Sequence, residues 1–277
     1  MTTPPSAVQS LTTLLRHISL DDHEQVLKAA DAVLKKSKTE IDALHVKIVA
    51  LLKLDRYEDA LRVVEEGGDL LKEKAALEWA YALYKVGRYT DVEGVVRKAG
   101  RGSRGLRHVE AQTCYRLEDF RKAADIYKQL SEDTSGGVEN EENDLLINSS
   151  ATDAQLEWAG QGHLVQKKRP SREDLEVFEM AYNAACGSIA RGELAQGEIL
   201  LRRAKGKYLF SRFLRLREIA DGDLCNALEE LSDEEKTAEI LPITVQQIYV
   251  LIKLGKIREA EKLSSEISIE RYEVLFS

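Results

Sequence analysis

The five histidines and three cysteines are the residues best equipped for metal binding or nucleophilic chemistry, and their spacing suits neither. Cys114, Cys186 and Cys225 are odd in number, far apart and never in a C-x-x-C pair. Neither a disulfide framework nor a zinc site follows, and the pattern fits a reducing compartment. No serine or cysteine sits in a recognisable nucleophile motif, so no enzyme activity, catalytic residue, cofactor or metal is expected. Cys114 and Cys186 are read as packing residues. Gly100 to Gly105 spells G-x-G-x-x-G. A nucleotide fingerprint needs a strand before it, whereas a helical pattern precedes this one, so it is read as a loop. Asn148-Ser-Ser is formally a glycosylation triplet, which a cytosolic chain does not present to the machinery.

Binding chemistry is better represented. Lys53, Lys85, Arg116 and Lys253 each stand two residues before a predicted turn, and Tyr84 and Tyr115 stand three before one. If the predicted hairpins stack, these side chains form a basic and aromatic ladder. Such a ladder suits an extended segment carrying carboxylates and apolar anchors. The other reading of the lysines is a solvated rim. Tyr81, Tyr182, Asn183, Tyr249, His45 and His108 occupy other inner-helix positions, and the Asn183 amide is suited to hold a peptide backbone. Arg97, Lys98, Arg101, Arg104 and Arg107 run without an interleaved acid. They form either a solvated basic loop or a local contact for RNA or an acidic partner.

The elements that position these residues come from a repeat. The phrases KLDRYEDA, KVGRYTDV, RLEDFRKA and KLGKIREA place turn residues at Asp55, Gly87, Glu118 and Gly255. Two residues later come Tyr57, Tyr89, Phe120 and Ile257; five later come Ala60, Val92, Ala123 and Ala260. Further units centre on Asp21 and on Gly192, the latter with Leu194 and Gly197, which makes six. Apolar residues at helical spacing flank each turn, such as Leu44, Ile48, Leu51 and Leu52 before and Ala60, Leu61 and Val64 after. The unit is a helix-turn-helix hairpin. Small residues seven before the turn (Ala80, Ala111, Ala185) let two helices approach closely, while the aromatic is expected to fill the wedge between neighbouring hairpins. No hairpin buries its apolar face alone, so stacking builds a solenoid with a concave face.

The chain of 277 residues, 43% hydrophobic and 32% charged with 6% aromatics, fits an all-α soluble protein. Its net charge of -8 excludes a global pull toward phosphates, leaving only local RNA contacts. Met1 to Gln9 lacks signal-peptide character, and no apolar run reaches the ~18 residues of a membrane span. A single domain over 6–277 is expected, interrupted by an acidic loop at 131–144 and a polar loop at 160–171. Between them, Leu145, Leu146, Ala151, Ala154 and Trp158 predict an unusual packing helix; Ser171 with Asp174 predicts the cap of the next one.

These repeats resemble the tetratricopeptide (TPR) repeat. More specifically, Glu179 to Lys205, Leu83 to Tyr89, Tyr115 to Glu118, Asn148 to Trp158 and Gln246 to Ala260 are similar to the TPR region of the 72-kilodalton subunit of the eukaryotic signal recognition particle. The resemblance implies a heterodimer in which the superhelix grips a C-terminal segment of the 68-kilodalton subunit, within a cytoplasmic ribonucleoprotein that meets ribosomes and the endoplasmic reticulum in protein targeting. It implies no catalysis. That family's RNA-binding region lies in a basic tail beyond the repeats, and nothing comparable follows Ile269, so the chain reads as an N-terminal half or a truncated product. The similarity breaks over 206–222, which reads as a lineage-specific insertion or a retained intron and carries apolar residues among Arg212, Arg215 and Arg217. The alternatives are an adaptor for another acidic tail, such as a chaperone's, and direct RNA binding through 97–107 and 202–217.

Overall fold

The computed structural model describes residues 22–100, 103–133, 141–165, 170–219, 233–265 and 267; for 210–219 and 233–239 the backbone alone is described. Among the described residues every regular element is helical. The expected turn at Asp21, Cys225 and residues 220–222 lie outside them. The chain forms two compact units, 1–137 and 138–277.

The first unit contains α1 (His23–Leu34), α2 (Ile41–Lys53), α3 (Tyr57–Glu66), the short α4 (Gly68–Lys74), α5 (Ala76–Lys85), α6 (Tyr89–Ala99), α7 (Arg104–Arg116) and α8 (Phe120–Glu132). Each predicted turn is a left-handed residue: Asp55 at φ 56°, Gly87 at φ 77° and Glu118 at φ 61°. The next amide reaches five residues back, from Arg56 to the Leu51 carbonyl, Arg88 to Leu83 and Asp119 to Cys114, each at 2.9 Å. This closes the outgoing helix by satisfying a carbonyl that would otherwise lack a partner. The following helix is then fixed by its entry residue. Arg56 Nε donates to Asp59 at 2.7 Å, Arg88 Nε donates to Asp91 at 2.6 Å, and the Asp119 carboxylate accepts from the Lys122 amide at 3.1 Å.

The small-residue seam forms as expected: Ala60, Ala80, Val92, Ala111 and Ala123 are fully buried. Helix α5 packs on α3, α6 and α7, and α7 packs in turn on α6 and α8, so hairpins meet in sequence order. The aromatic two residues past the turn behaves in two ways. Tyr57 bridges to Tyr81 of the next hairpin, edge to face at 6.4 Å, as expected. Tyr89 and Phe120 instead pack on Tyr84 and Tyr115 of their own hairpins, at 5.8 and 5.4 Å. Helix α4 is not announced by the repeat. It starts at Gly68 at φ 74°, and a side chain at Gly67 would lie 2.2 Å from the Leu71 methyl that α4 buries.

The second unit contains α9 (Glu141–Trp158), α10 (Phe178–Ala190), α11 (Leu194–Ile219), α12 (Asp233–Lys253) and α13 (Ile257–Ser265), with one-turn 3-10 segments at Gly162–Leu164 and Asp174–Glu176. Gly192 (φ 80°) and Gly255 (φ 73°) make the same turn. Close packing past the first of these needs glycine at 197, where a Cβ would sit 2.6 Å from Ile189 Cγ1. Gly160 (φ 71°) closes α9 in the same way, with the Gln161 amide 2.8 Å from the Leu156 carbonyl, but no α-helix answers it.

Two local expectations change. The buried face of α9 is Leu145, Thr152, Ala154 and Leu156, whereas Leu146 and Trp158 are 40% and 45% exposed. Thr152 can be buried because its hydroxyl donates to the Asn148 carbonyl at 2.8 Å, within the helix itself. Ser171 and Asp174 do exchange reciprocal bonds, at 2.8 and 3.0 Å, but they open only the 3-10 turn. Helix α10 starts later, from extended Val177. Residues 131–132 end α8 and 141–144 begin α9, while 206–219 continue α11 without a break.

Candidate peptide-binding face

The ladder residues of the first unit sit at the C-terminal ends of α2, α5 and α7, where helix carbonyls favour a cation. Lys53, Lys85 and Arg116 are exposed; Tyr81, Tyr84 and Tyr115 are half-buried. Two cations engage aromatics of the preceding hairpin. Lys85 Nζ lies 5.2 Å above the Tyr57 ring, and Arg116 Nε donates to the Tyr84 hydroxyl at 3.4 Å. The Tyr84 bond holds the Arg116 pKa above its ordinary value. The Tyr57 hydroxyl donates to Asp55, which raises the phenol's pKa and ties the ring back to the left-handed turn. His45 Nε2 lies 3.0 Å from Glu78 Oε1 across two hairpins, and His108 is half-buried on α7.

In the second unit, Tyr182 and Asn183 are half-buried on α10. The Asn183 amide nitrogen donates to the Ile147 carbonyl at 3.1 Å, so it ties α9 to α10. Tyr249 is 39% exposed, 6.3 Å from the Trp158 ring, with Lys253 Nζ 5.6 Å from its centroid. Trp158 thus extends this surface, although the sequence reading assigned it to packing. Its signal was the glycine turn two residues on, which places it at the end of a helix as Lys85 is placed before Gly87.

Of the basic stretches read as RNA contacts, Arg104, Arg107, Arg202, Arg203 and Lys207 are engaged within the fold and Arg97 and Lys98 are exposed, while Arg101 and the side chains of Arg212, Arg215 and Arg217 lie outside the described residues. Arg104 donates to the carbonyls of Leu130 and Asp133, both at 2.7 Å, and Arg107 to Gln129 Oε1 at 2.8 Å, together covering the C-terminal end of α8. Arg202 pairs with Glu198, Arg203 donates to the Leu175 carbonyl at 2.9 Å, and Arg203 and Lys207 both reach Glu176. Lys207, then Arg203, holds the Glu176 pKa below the usual carboxylate range. Burial pushes the Cys114 thiol up to about 11, which removes nucleophilic character at neutral pH.

A family model described as a putative TPR-like repeat matches residues 19–155. The chain is 27% identical over 253 residues to the signal recognition particle subunit SRP72 of Canis lupus familiaris, covering 89% of this chain and 34% of that protein. It is 26% identical over 249 residues to SRP72 of Homo sapiens, with the same shares. It is also 26% identical over 272 residues to the N-terminal acetyltransferase A complex auxiliary subunit NAA15 of Arabidopsis thaliana, covering 94% of this chain and 27% of that protein. The chain spans about a third of the length of the SRP72 relatives. The fold is an all-α stack of TPR-type hairpins, and its likeness is to SRP72 across eukaryotes. By name, these relatives are subunits of larger assemblies. Among the described residues no helix is long and apolar enough to cross a membrane.

Proposed function

With TPR-type hairpins and a likeness to SRP72 over 89% of its length as the premise, we propose that the chain is a scaffold subunit of the signal recognition particle, working in the cytoplasm in protein targeting. It grips an extended C-terminal segment of the 68-kilodalton subunit and meets ribosomes and the endoplasmic reticulum through the particle. The likeness to SRP72 carries this reading. The helix-end row of Lys53, Tyr84, Lys85, Tyr115 and Arg116 supports it, because exposed cations beside half-buried rings offer both a charge partner and an apolar anchor. Tyr249 and Lys253 again pair a ring with a cation in the second unit, where the ring is exposed. RNA contact is at most peripheral, since Arg104, Arg107, Arg202, Arg203 and Lys207 are held by intramolecular partners.

Calorimetry with the C-terminal peptide of the 68-kilodalton subunit tests the proposal. Tyr84→Ala and Tyr115→Ala are each expected to weaken binding by more than ~1 kcal/mol. Unchanged affinity in both variants removes them from the binding face, and absence of heat with the parent protein ends the reading. Direct RNA binding would instead show affinity falling steeply with added salt.

A further inference from the structure

The second unit holds a cleft of about 610 Å³ between α9, α10, the start of α11 and the residues Val165, Pro170 and Leu175. Pockets that hold small ligands run from roughly 300 to 1,000 Å³, so the space suits a side chain and its backbone. Ala154, Leu175 and Leu200 give it apolar walls, and Gly187 faces it. A Cβ at Gly187 would touch only the end of Arg191 and, at 4.0 Å, the Ala154 Cα.

Its charges are unequally satisfied. Asp153 and Glu157 stand one turn apart on α9 and line the same cleft. Glu157 is taken by Arg191 Nη1 at 3.3 Å, and Arg191 is itself committed to Glu193 at 3.0 Å and to the Ser188 hydroxyl at 3.3 Å. Asp153 has no hydrogen-bond or ion-pair partner among the described residues. Burial first, and Glu157 second, push its carboxyl up to about 6. A half-buried carboxylate at neutral pH therefore bears a desolvation cost that an incoming cation with hydrogen-bond donors would offset. A divalent metal does not fit: no group of three or more potential ligands occurs among the described residues.

We propose that this cleft receives an arginine side chain of a partner polypeptide, its guanidinium paired with Asp153 and its methylene stem along Leu175 and Leu200. Arginine suits the place better than lysine because its guanidinium is weakly hydrated, planar and able to meet a carboxylate through two donors. The stem gains from the apolar walls. The cleft takes in Asn183 of the sequence-derived peptide face but no residue of the helix-end row, so either assignment can fail while the other stands.

The probe is a blocked pentapeptide, acetyl-Ala-Ala-Arg-Ala-Ala-amide, titrated into the isotope-labelled chain while amide resonances are followed. The expected result is saturable shifts confined to residues 150–157 and 184–193, at least about tenfold weaker binding in Asp153→Asn, weaker binding of the lysine analogue, and none of the uncharged citrulline analogue. Tyr84→Ala is expected to bind the probe as the parent does. Asparagine is nearly isosteric and relieves the carboxylate's burial, so this variant's unfolding temperature, measured in parallel, should not fall. The proposal is overturned if the parent shows no shifts, if citrulline matches arginine, if lysine matches arginine, or if Asp153→Asn binds undiminished.

Discussion

The two units use one turn to different ends. In the first, Asp55, Gly87 and Glu118 each reverse the chain into a partner helix, and a cation at the end of one helix reaches an aromatic of the hairpin before it. In the second, Gly192 and Gly255 also reverse the chain into a partner helix, whereas Gly160 makes the left-handed closure but is followed by a one-turn 3-10 segment, and α9 packs against α10 instead. A wall is left without its usual second helix, and the cleft beside Asp153 occupies that side of α9. A left-handed residue therefore ends a helix but does not decide what comes next. The apolar face that follows decides it, and 160–171 carries none at helical spacing.

The largest test of this contrast is whether α9 carries as much packing as a repeat helix. Leu83→Ala in α5 and Leu156→Ala in α9 remove fully buried side chains, and each is expected to cost about 2–5 kcal/mol in urea unfolding. A loss well under that range for Leu156 alone would mark α9 as an appendage. Next, Gly192→Ala places a Cβ on a left-handed residue with open space around it, so strain alone is read; about 1–2 kcal/mol of destabilisation is expected.

Asp153→Asn should stabilise the fold at pH 7 by on the order of 1 kcal/mol, discounted from the full shift for partial exposure. A carboxyl whose folded pKa is raised binds more protons in the folded than in the unfolded chain between about 4 and 6. The parent therefore loses stability as pH climbs through that window, and the advantage of asparagine should vanish below about pH 4. Unfolding temperatures measured across pH would show it, and among the described residues Glu157, Arg191 and Glu193 are the charged groups that share the cleft. The smallest effect is expected for Glu118→Gly. It relieves left-handed strain but frees the unfolded chain, for a net gain of about 0.5–1 kcal/mol.

The hairpins were legible because each turn combines a left-handed residue with small residues at fixed distance, and both features act locally. Asp55 and Glu118 were as readable as the glycines, since the flanking pattern outweighs the turn residue's own preference. The face of α9 was not legible: Leu146 and Leu145 are adjacent and equally apolar, and a threonine that bonds within its own helix does not look buried. Of the candidate binding residues, the sequence placed Lys85, Arg116, Tyr84 and Tyr115 at helix ends, yet not the aromatics that Lys85 and Arg116 touch, because those contacts depend on how one hairpin lies on the next. Asn183 looked available as a donor because its acceptor lies 36 residues away. Asp153 gave no signal, as its isolation arises only when three elements close around it.

Because the described hairpins of the first unit touch mainly their sequence neighbours, they form a row of links. Pulling on it from one end would shed links in order, each release exposing a single fresh seam of alanines and leaving those further along undisturbed.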